Sequence, residues 1–330
     1  MSISNAPLVQ PLFEGALDVV ADIHGEIGAV RSLLSRLGYD ERGGHPEGRR
    51  LVFLGDLTDR GPDSPAVVAL VRRLVEADRA QCVLGNHELN LLRGQEKHGN
   101  AWFSGKPEAL DRSGRIVPQI LADESTRART LDFFRQLPLA LERDDLRVVH
   151  ACWDAPMVDL ARDPADVLDL YARSVRLIHE DLAARGVTDD FEVRLALQNR
   201  NPVKVLTSGP ERRASEPFEA GGRLRDRARA RWWDDYADDI FCVFGHYGRT
   251  PVPRTGKTGH LFDADPPHAA LGAGRAMCID YSAGARWRER LADDFDGTHS
   301  IRLAALRWPE QTLIFDDGMR IPLGPPPPRP

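Results

Sequence analysis

Short apolar runs alternate with amphipathic stretches in the first quarter of the chain. Residues 16–21 (ALDVVA), 51–54 (LVFL) and 80–84 (AQCVL) have the length and composition of buried strands. Between them, Ile27, Val30, Leu33, Leu34 and Leu37 recur at helical spacing, and Gly38 closes that helix. Residues 65–77 repeat the helical pattern. Strand, polar loop and helix in repetition predict βαβ units and a layered α/β fold.

Farther along, the rhythm loosens. Residues 89–141 read as helical and less regular, with a helix in LDFFRQLPLALERD ending near Pro138. Residues 146–149 (LRVV) form a strand that runs into His150, and residues 159–185 read as helical. The stretch 201–231 reads as loop-rich and basic. Residues 240–244 (IFCVF) form a strand ending at Gly245 and His246, and residues 276–280 (AMCID), 301–306 and 311–315 read as late strands. One domain over residues 1–318 is expected, with inserts at about 90–140 and 155–235 and a Pro-rich disordered tail at 319–330. A proline-recognition peptide is the functional alternative for that tail.

Composition narrows this picture. A length of 330 residues suffices for one large α/β domain with a proper core. The net charge of -6 argues against general attraction to nucleic acid or an anionic membrane. No apolar run reaches the roughly 20 residues of a membrane span. The N-terminal stretch lacks the features of a signal peptide, so a cytoplasmic location is expected. Cys82, Cys152, Cys242 and Cys278 are widely spaced and read as reduced core thiols.

Chemistry enters where the strands end. Five apolar runs lead into DIHG (22–25), GDLTDRG (55–61), GNHE (85–88), His150 and Gly245-His246. Sites in layered α/β folds collect at the carboxyl ends of strands, so the five loops should converge. Alone, an Asp or Asn there is an ordinary helix cap and a lone His is structural. Together, Asp22, His24, Asp56, Asn86, His150 and His246 supply oxygen and imidazole donors for two divalent cations. Cysteine is absent from the set, which argues against structural zinc. Mn2+ leads the expectation, with Fe, Zn and Ni open to the same ligands.

In this order and spelling the motifs resemble the calcineurin-like metallophosphoesterases. DRG and NHE are similar to the phosphoprotein phosphatase branch, and the bacterial diadenosine tetraphosphate hydrolases are similar too. The resemblance implies a four-layer metallophosphatase sandwich: two central mixed β-sheets flanked by helices. By the same resemblance, Asp22, His24 and Asp56 would hold one metal. Asp56 would bridge, and Asn86, His150 and His246 would complete the second. His87 would protonate the leaving oxygen, with Asp59 orienting it and raising its pKa. Arg60 and Asn86 would bind the substrate phosphate. A metal-activated hydroxide would attack directly, with no phosphoenzyme.

Departures from the family pattern limit what carries over. Ala21 stands where the family usually has Gly, Ala-Cys-Trp follows His150, and Tyr247 follows His246. These alter the pocket wall. The second phosphate-binding arginine has no clean match; Arg212 and Arg213 are the candidates, with Arg200 a third. The expected function is a phosphomonoesterase of the serine/threonine protein phosphatase type. Hydrolysis of a dinucleoside polyphosphate or a phosphodiester is the alternative, and a non-catalytic metal-binding scaffold is the remote one. The expected partner is a phosphoprotein or nucleotide substrate, without stable nucleic-acid binding.

Other features have plainer readings. The run 223–231 (RLRDRARAR) reads as a solvated face offset by Asp234, Asp235, Asp238 and Asp239, with a substrate-binding strip as the alternative. Trp232 and Trp233 read as core anchors. Trp102 and Phe103 read as core packing, with a lid over the site as the other option. The histidines at 45, 98, 179, 260, 268 and 299 read as surface or core residues.

Overall fold

A computed structural model describes residues 7–97, 99–105, 108–110, 116–163, 166–220, 223–249, 261–263 and 265–324. The first part follows the βαβ pattern: β1 (Val9–Pro11), β2 (Leu17–Val20), α1 (Ile27–Leu37), β3 (Arg50–Phe53), α2 (Ser64–Glu76), β4 (Ala80–Cys82) and α3 (Asn86–Leu92). Every residue of β2 is buried, as are Ala29, Val30, Leu33, Leu34 and Leu37 of α1. Apolar periodicity thus became one buried face. Gly38 ends α1 in a left-handed conformation (φ 99°) suited to glycine.

The first insert contains α4 (Ala101–Ser104), β5 (Glu108–Leu110), β6 (Ile116–Pro118) and α5 (Glu124–Arg135). Next come β7 (Ala140–Glu142), β8 (Leu146–Val149), α6 (Ala155–Arg162), α7 (Val167–Ala184), α8 (Asp190–Asn199) and α9 (Pro202–Ser208). The long strands β9 (Glu211–Ala220) and β10 (Arg223–Arg229) pair as an antiparallel ribbon. The chain closes with β11 (Phe241–Phe244), β12 (Ala276–Cys278), α10 (Arg286–Arg290), β13 (Ala304–Trp308), β14 (Thr312–Phe315) and β15 (Arg320–Pro322).

Two mixed sheets form the centre. One has the order β1-β7-β8-β11-β12, and the other β15-β14-β13-β2-β3-β4. Within them β2, β3 and β4 are parallel, and β8, β11 and β12 are parallel. Each sheet therefore delivers three strand ends to the same kind of edge, where a polar site can form. The core between is continuous, running from Leu17 and Val19 to Phe244 and Phe315. Trp233 is fully buried and stacks on Phe262 at 5.1 Å, as expected of a core anchor. All four cysteines are buried free thiols. No described helix is long and apolar enough to cross a membrane.

Two expectations change. Within the stretch expected to be loops, residues 202–208 form α9, and residues 211–220 and 223–229 form a ribbon. Its strands carry charges on both faces, so there was no apolar alternation to read; main-chain pairing holds them instead. At the C-terminus, residues 320–322 of the expected tail pair with β14, while residues 325–330 lie outside the described residues. His98 and His260 also lie outside them.

One buried charge cluster ties the C-terminal strands to the N-terminal half. Asp18 of β2, fully buried, accepts from Arg49 Nε at 3.1 Å, Arg307 Nε at 2.9 Å and Tyr39 Oη at 2.9 Å. Arg49 also donates to Leu17 O and Trp308 O. Removing the anion leaves Arg307 without its carboxylate partner and Arg49 with Glu310 alone, so Asp18→Ala should cost about 3 kcal/mol. A urea unfolding midpoint that stays at the wild-type value would refute this.

Candidate metal centre

The expected donors lie just beyond the carboxyl ends of β2, β3, β4, β8 and β11. Two groups of side-chain donor atoms form there, each within 4.8 Å of one another: His24, Asp56 and His87, and Asp56, His150 and His246. Asp56 belongs to both. Its Oδ2 faces His24 Nε2 at 3.7 Å and His87 Nε2 at 3.9 Å, while its Oδ1 faces His150 Nε2 at 3.4 Å. One carboxylate thus points an oxygen at each group.

Asn86 joins the second group. Its Oδ1 lies 2.7 Å from His246 Nδ1 and 3.2 Å from His150 Nε2. The first group departs from the expected membership: His87 stands in it and Asp22 does not. Asp22 is fully buried. Its Oδ2 accepts from His246 N at 3.0 Å, and its Oδ1 has no hydrogen-bond partner among the described residues.

Local backbone geometry has been bent to make this arrangement. His24, Asp56, Asp59, Arg60 and His246 all adopt positive φ, between 45° and 74°. For residues with a Cβ such conformations cost about 1–3 kcal/mol each, and they persist only where the surroundings impose them. Packing also requires glycine at position 85. A Cβ there would lie 2.3 Å from Asp56 N and 2.4 Å from Asp56 Oδ1.

Hydrogen bonds orient the rings. His24 Nδ1 donates to Thr58 O at 3.0 Å, and His150 Nδ1 donates to Leu54 O at 2.6 Å. His87 Nδ1 donates to Asp59 Oδ2 at 2.5 Å. Each ring therefore turns Nε2 toward the cavity, the pattern by which outer partners orient metal-ligating histidines. Arg60 reaches into the first group, its Nη1 3.1 Å from His24 Nε2 and its Nη2 3.1 Å from His87 Nε2. Positive charge is accommodated between those two rings.

Titration follows the same logic. Burial holds His24 well below the usual histidine range, and Arg60 and His87 push it the same way. Burial and then Arg229 do likewise to His246. The direction of both shifts favours the neutral imidazole, the form a cation requires. For His150 burial works in that direction but is overcome by Asp56, which carries it up to about 10. Asp22 is driven well above the carboxylate range by burial, with Asp280 adding repulsion. An orphaned buried carboxylate oxygen, a carboxylate split between two imidazole groups, and an amide oxygen facing two rings together fit a pair of divalent cations.

Several contributors had no role from sequence. Glu88 Oε2 accepts from Asp56 N at 2.8 Å and Gly85 N at 3.1 Å, and Oε1 from Leu57 N at 2.9 Å. It ties the second and third motifs together, and burial carries its pKa up to about 7. Its place three residues after Gly85, in a capping box, was the available signal. Asp280 follows β12 and accepts from Gly248 N at 2.8 Å and Ser282 N at 2.7 Å. It ends an apolar run as the other acidic residues of the site do, and that rule could have found it.

The arginines sort differently from expectation. Arg213 pairs with Glu192 at 3.0 Å and lies over the Phe191 ring, and Arg200 pairs with Asp181 at 2.7 Å. Arg212 is exposed on the ribbon opposite Ala228. None of the three is brought to the donor groups by a described contact. Arg229, at the end of β10, is: its Nη1 donates to His246 O at 3.2 Å, and its guanidinium lies 5.3 Å from the Tyr247 ring centre. Nothing in the arginine-rich run distinguished it.

The family model for calcineurin-like phosphoesterases matches residues 16–246, which includes every donor named above except Asp280. Among curated relatives, the asymmetrical bis(5'-nucleosyl)-tetraphosphatase PrpE of Halalkalibacterium halodurans is 35% identical over 145 residues, covering 41% of this chain and 56% of that protein. The same enzyme of Bacillus velezensis is 33% identical over 192 residues, covering 54% and 70%. The chain spans about half the length of the first of these relatives. A cold-active protein tyrosine phosphatase of a Shewanella species is similar over 96% of this chain and 82% of its own, at 14% identity and a TM-score of 0.48.

Proposed function

The chain belongs to the calcineurin-like phosphoesterases, and on that premise we propose that it hydrolyses dinucleoside polyphosphates at a pair of divalent cations, manganese first among them. The family itself supports metal-dependent hydrolysis of a phosphate ester or anhydride. The observation that carries the substrate class is the positive charge extending away from the donor groups. Arg60 and Arg229 flank the two groups. Arg227 lies two residues back along β10, about 6.6 Å for extended chain, and is ion-paired with Glu211 at 2.6 Å. Beside it is Lys204 of α9, half-buried, with Glu211, Arg227, Arg93 and Lys97 as its charged neighbours.

Lys204 makes no ion pair with any described residue, and burial with the surrounding cations holds its ammonium below the usual lysine range, against the pull of Glu211. An anion placed there would relieve that repulsion. A phosphomonoester offers one phosphate and ends at the donor groups. A polyphosphate offers further anions to Lys204. The tetraphosphatase names of the relatives favour the same reading.

In this reading Asp22, His24 and Asp56 hold one cation, and Asp56, Asn86, His150 and His246 hold the other. When bound, the pair lowers the pKa of water and shields the charge that develops on the phosphate. Arg60 leaves the imidazoles to grip phosphate oxygens with its planar fork, and Arg229 supports the other side. A hydroxide, left when water gives up one proton to solvent, bonds through its oxygen to phosphorus as the bridging P–O bond breaks. The departing oxygen keeps the bonding pair and takes the proton on His87 Nε2. Asp59 holds Nδ1 of that ring throughout. The residues act as one domain, in a cytoplasmic setting where such nucleotides are present.

Purified protein supplied with Mn2+ tests this on diadenosine tetraphosphate, a phosphoserine peptide and 4-nitrophenyl phosphate. The dinucleotide should show the highest kcat/KM. Lys204→Met should raise KM for the dinucleotide about tenfold, the scale of one charge-assisted contact, and leave 4-nitrophenyl phosphate within about twofold. Faster turnover of the phosphopeptide would instead establish the protein phosphatase reading.

A further inference from the structure

Asp59 meets a ring on each of its two oxygens. Oδ2 accepts from His87 Nδ1 at 2.5 Å, and Oδ1 accepts from Trp102 Nε1 at 2.7 Å. Trp102 is fully buried, so its indole N–H has no access to water as an alternative partner. Asp59 is likewise fully buried, and its own backbone N donates to Ser64 Oγ at 2.9 Å. A buried carboxylate with one oxygen unpartnered would have reason to rotate. With both oxygens engaged, it presents a fixed acceptor to His87.

Trp102 is itself held in place. Its backbone N donates to Gln119 Oε1 at 3.2 Å, and its carbonyl accepts from Ala122 N at 2.9 Å. Gln119 Nε2 donates to Gly99 O at 2.8 Å and to Gly61 O at 3.2 Å, while Arg60 N donates to Gly99 O at 2.9 Å. The insert after α3 thus clasps the Asp59-Arg60-Gly61 loop from outside. Among the described residues, its side-chain hydrogen bond to the acid–base pair is that of the indole N–H.

We propose that Trp102 is a positioning residue for proton delivery: its indole N–H fixes Asp59, which in turn fixes the ring of His87. The proposal rests on His87 being the proton donor. Among the described residues Trp102 makes no hydrogen bond or ring contact with the donor groups, and its action runs through Asp59. Its effect should therefore scale with how much the leaving oxygen needs a proton, and should vanish when His87 is absent.

The test is a double-mutant cycle of Trp102→Phe and His87→Asn, read on phenyl phosphate and 4-nitrophenyl phosphate. Trp102→Phe should lower kcat on phenyl phosphate about tenfold, a fraction of the general-acid contribution, and on 4-nitrophenyl phosphate less than about twofold. KM and bound metal should stay at wild-type values. In the His87→Asn background the same substitution should change kcat on neither substrate. An equal loss on both substrates, or an undiminished loss in the His87→Asn background, overturns the role for Trp102. If His87→Asn alone shows no leaving-group dependence, the proton-donor reading fails instead. Should Trp102→Phe fold poorly, the wild-type indole 15N–1H resonance decides. It should lie downfield and move upfield in Asp59→Asn; a resonance indifferent to Asp59 overturns the proposal.

Discussion

Asp56→Asn should lower kcat by at least about a thousandfold and leave the purified protein with less than its full metal complement. The expectation comes from geometry. Among the described residues Asp56 alone is common to both donor groups, with Oδ2 toward His24 and His87 and Oδ1 toward His150. An amide replaces one of those oxygens with an N–H2 donor, which cannot ligate a cation and repels it. Loss of an outer hydrogen-bond partner costs 10–100-fold in such sites, and loss of one preorganised charge-stabilising donor about 10²–10³-fold; a shared ligand should exceed both. The substitution is nearly isosteric, and Asp56 N still donates to Glu88. Metal analysis alongside a urea midpoint separates the causes. Wild-type metal content with wild-type kcat would remove Asp56 from the bridging role.

His87→Asn should keep its metals and lose about 10²–10³-fold in kcat on phenyl phosphate, within the usual range for general acid–base catalysis. On 4-nitrophenyl phosphate, whose leaving group needs little protonation, the loss should be at most about tenfold. The ring's Nδ1 is committed to Asp59 at 2.5 Å, which leaves Nε2 to face the cavity beside Arg60. His87 also stands in the first donor group, where sequence had placed Asp22. The experiment tells the two roles apart. A proton donor gives a loss that grows with the leaving group's basicity. A ligand gives equal losses on both substrates and a fall in bound metal.

The ribbon of β9 and β10 shows why part of the site stayed hidden. Arg229 reaches His246 O from the end of β10, a position set by the pairing of β9 with β10. In the sequence it is one arginine of five in RLRDRARAR, and a charged run carries no periodicity to say which member turns inward. Trp102 illustrates the same limit at longer range. It lies 43 residues from the aspartate it contacts, in an insert without regular patterning. By contrast, Glu88 and Asp280 were within reach of local rules: one is the third helical residue of a capping box, and the other ends an apolar strand.

Local pattern along the chain dictates the frame and puts the candidate donors at its strand ends. Apolar runs that need burial dictate strands, and the polar residues after each run must fall at strand ends. Asp22, His24, Asp56, Asn86, His150 and His246 were legible for that reason, as were His87, Asp59 and Arg60 within the same loops. How the two sheets meet is a matter of packing between layers. Packing therefore sets which oxygen of Asp56 faces which histidines, that Asp22 Oδ1 stays unpartnered among the described residues, and which distant residues close around the site. Those choices depend on distances between segments far apart in the chain, set by how the layers pack, and no local pattern encodes them.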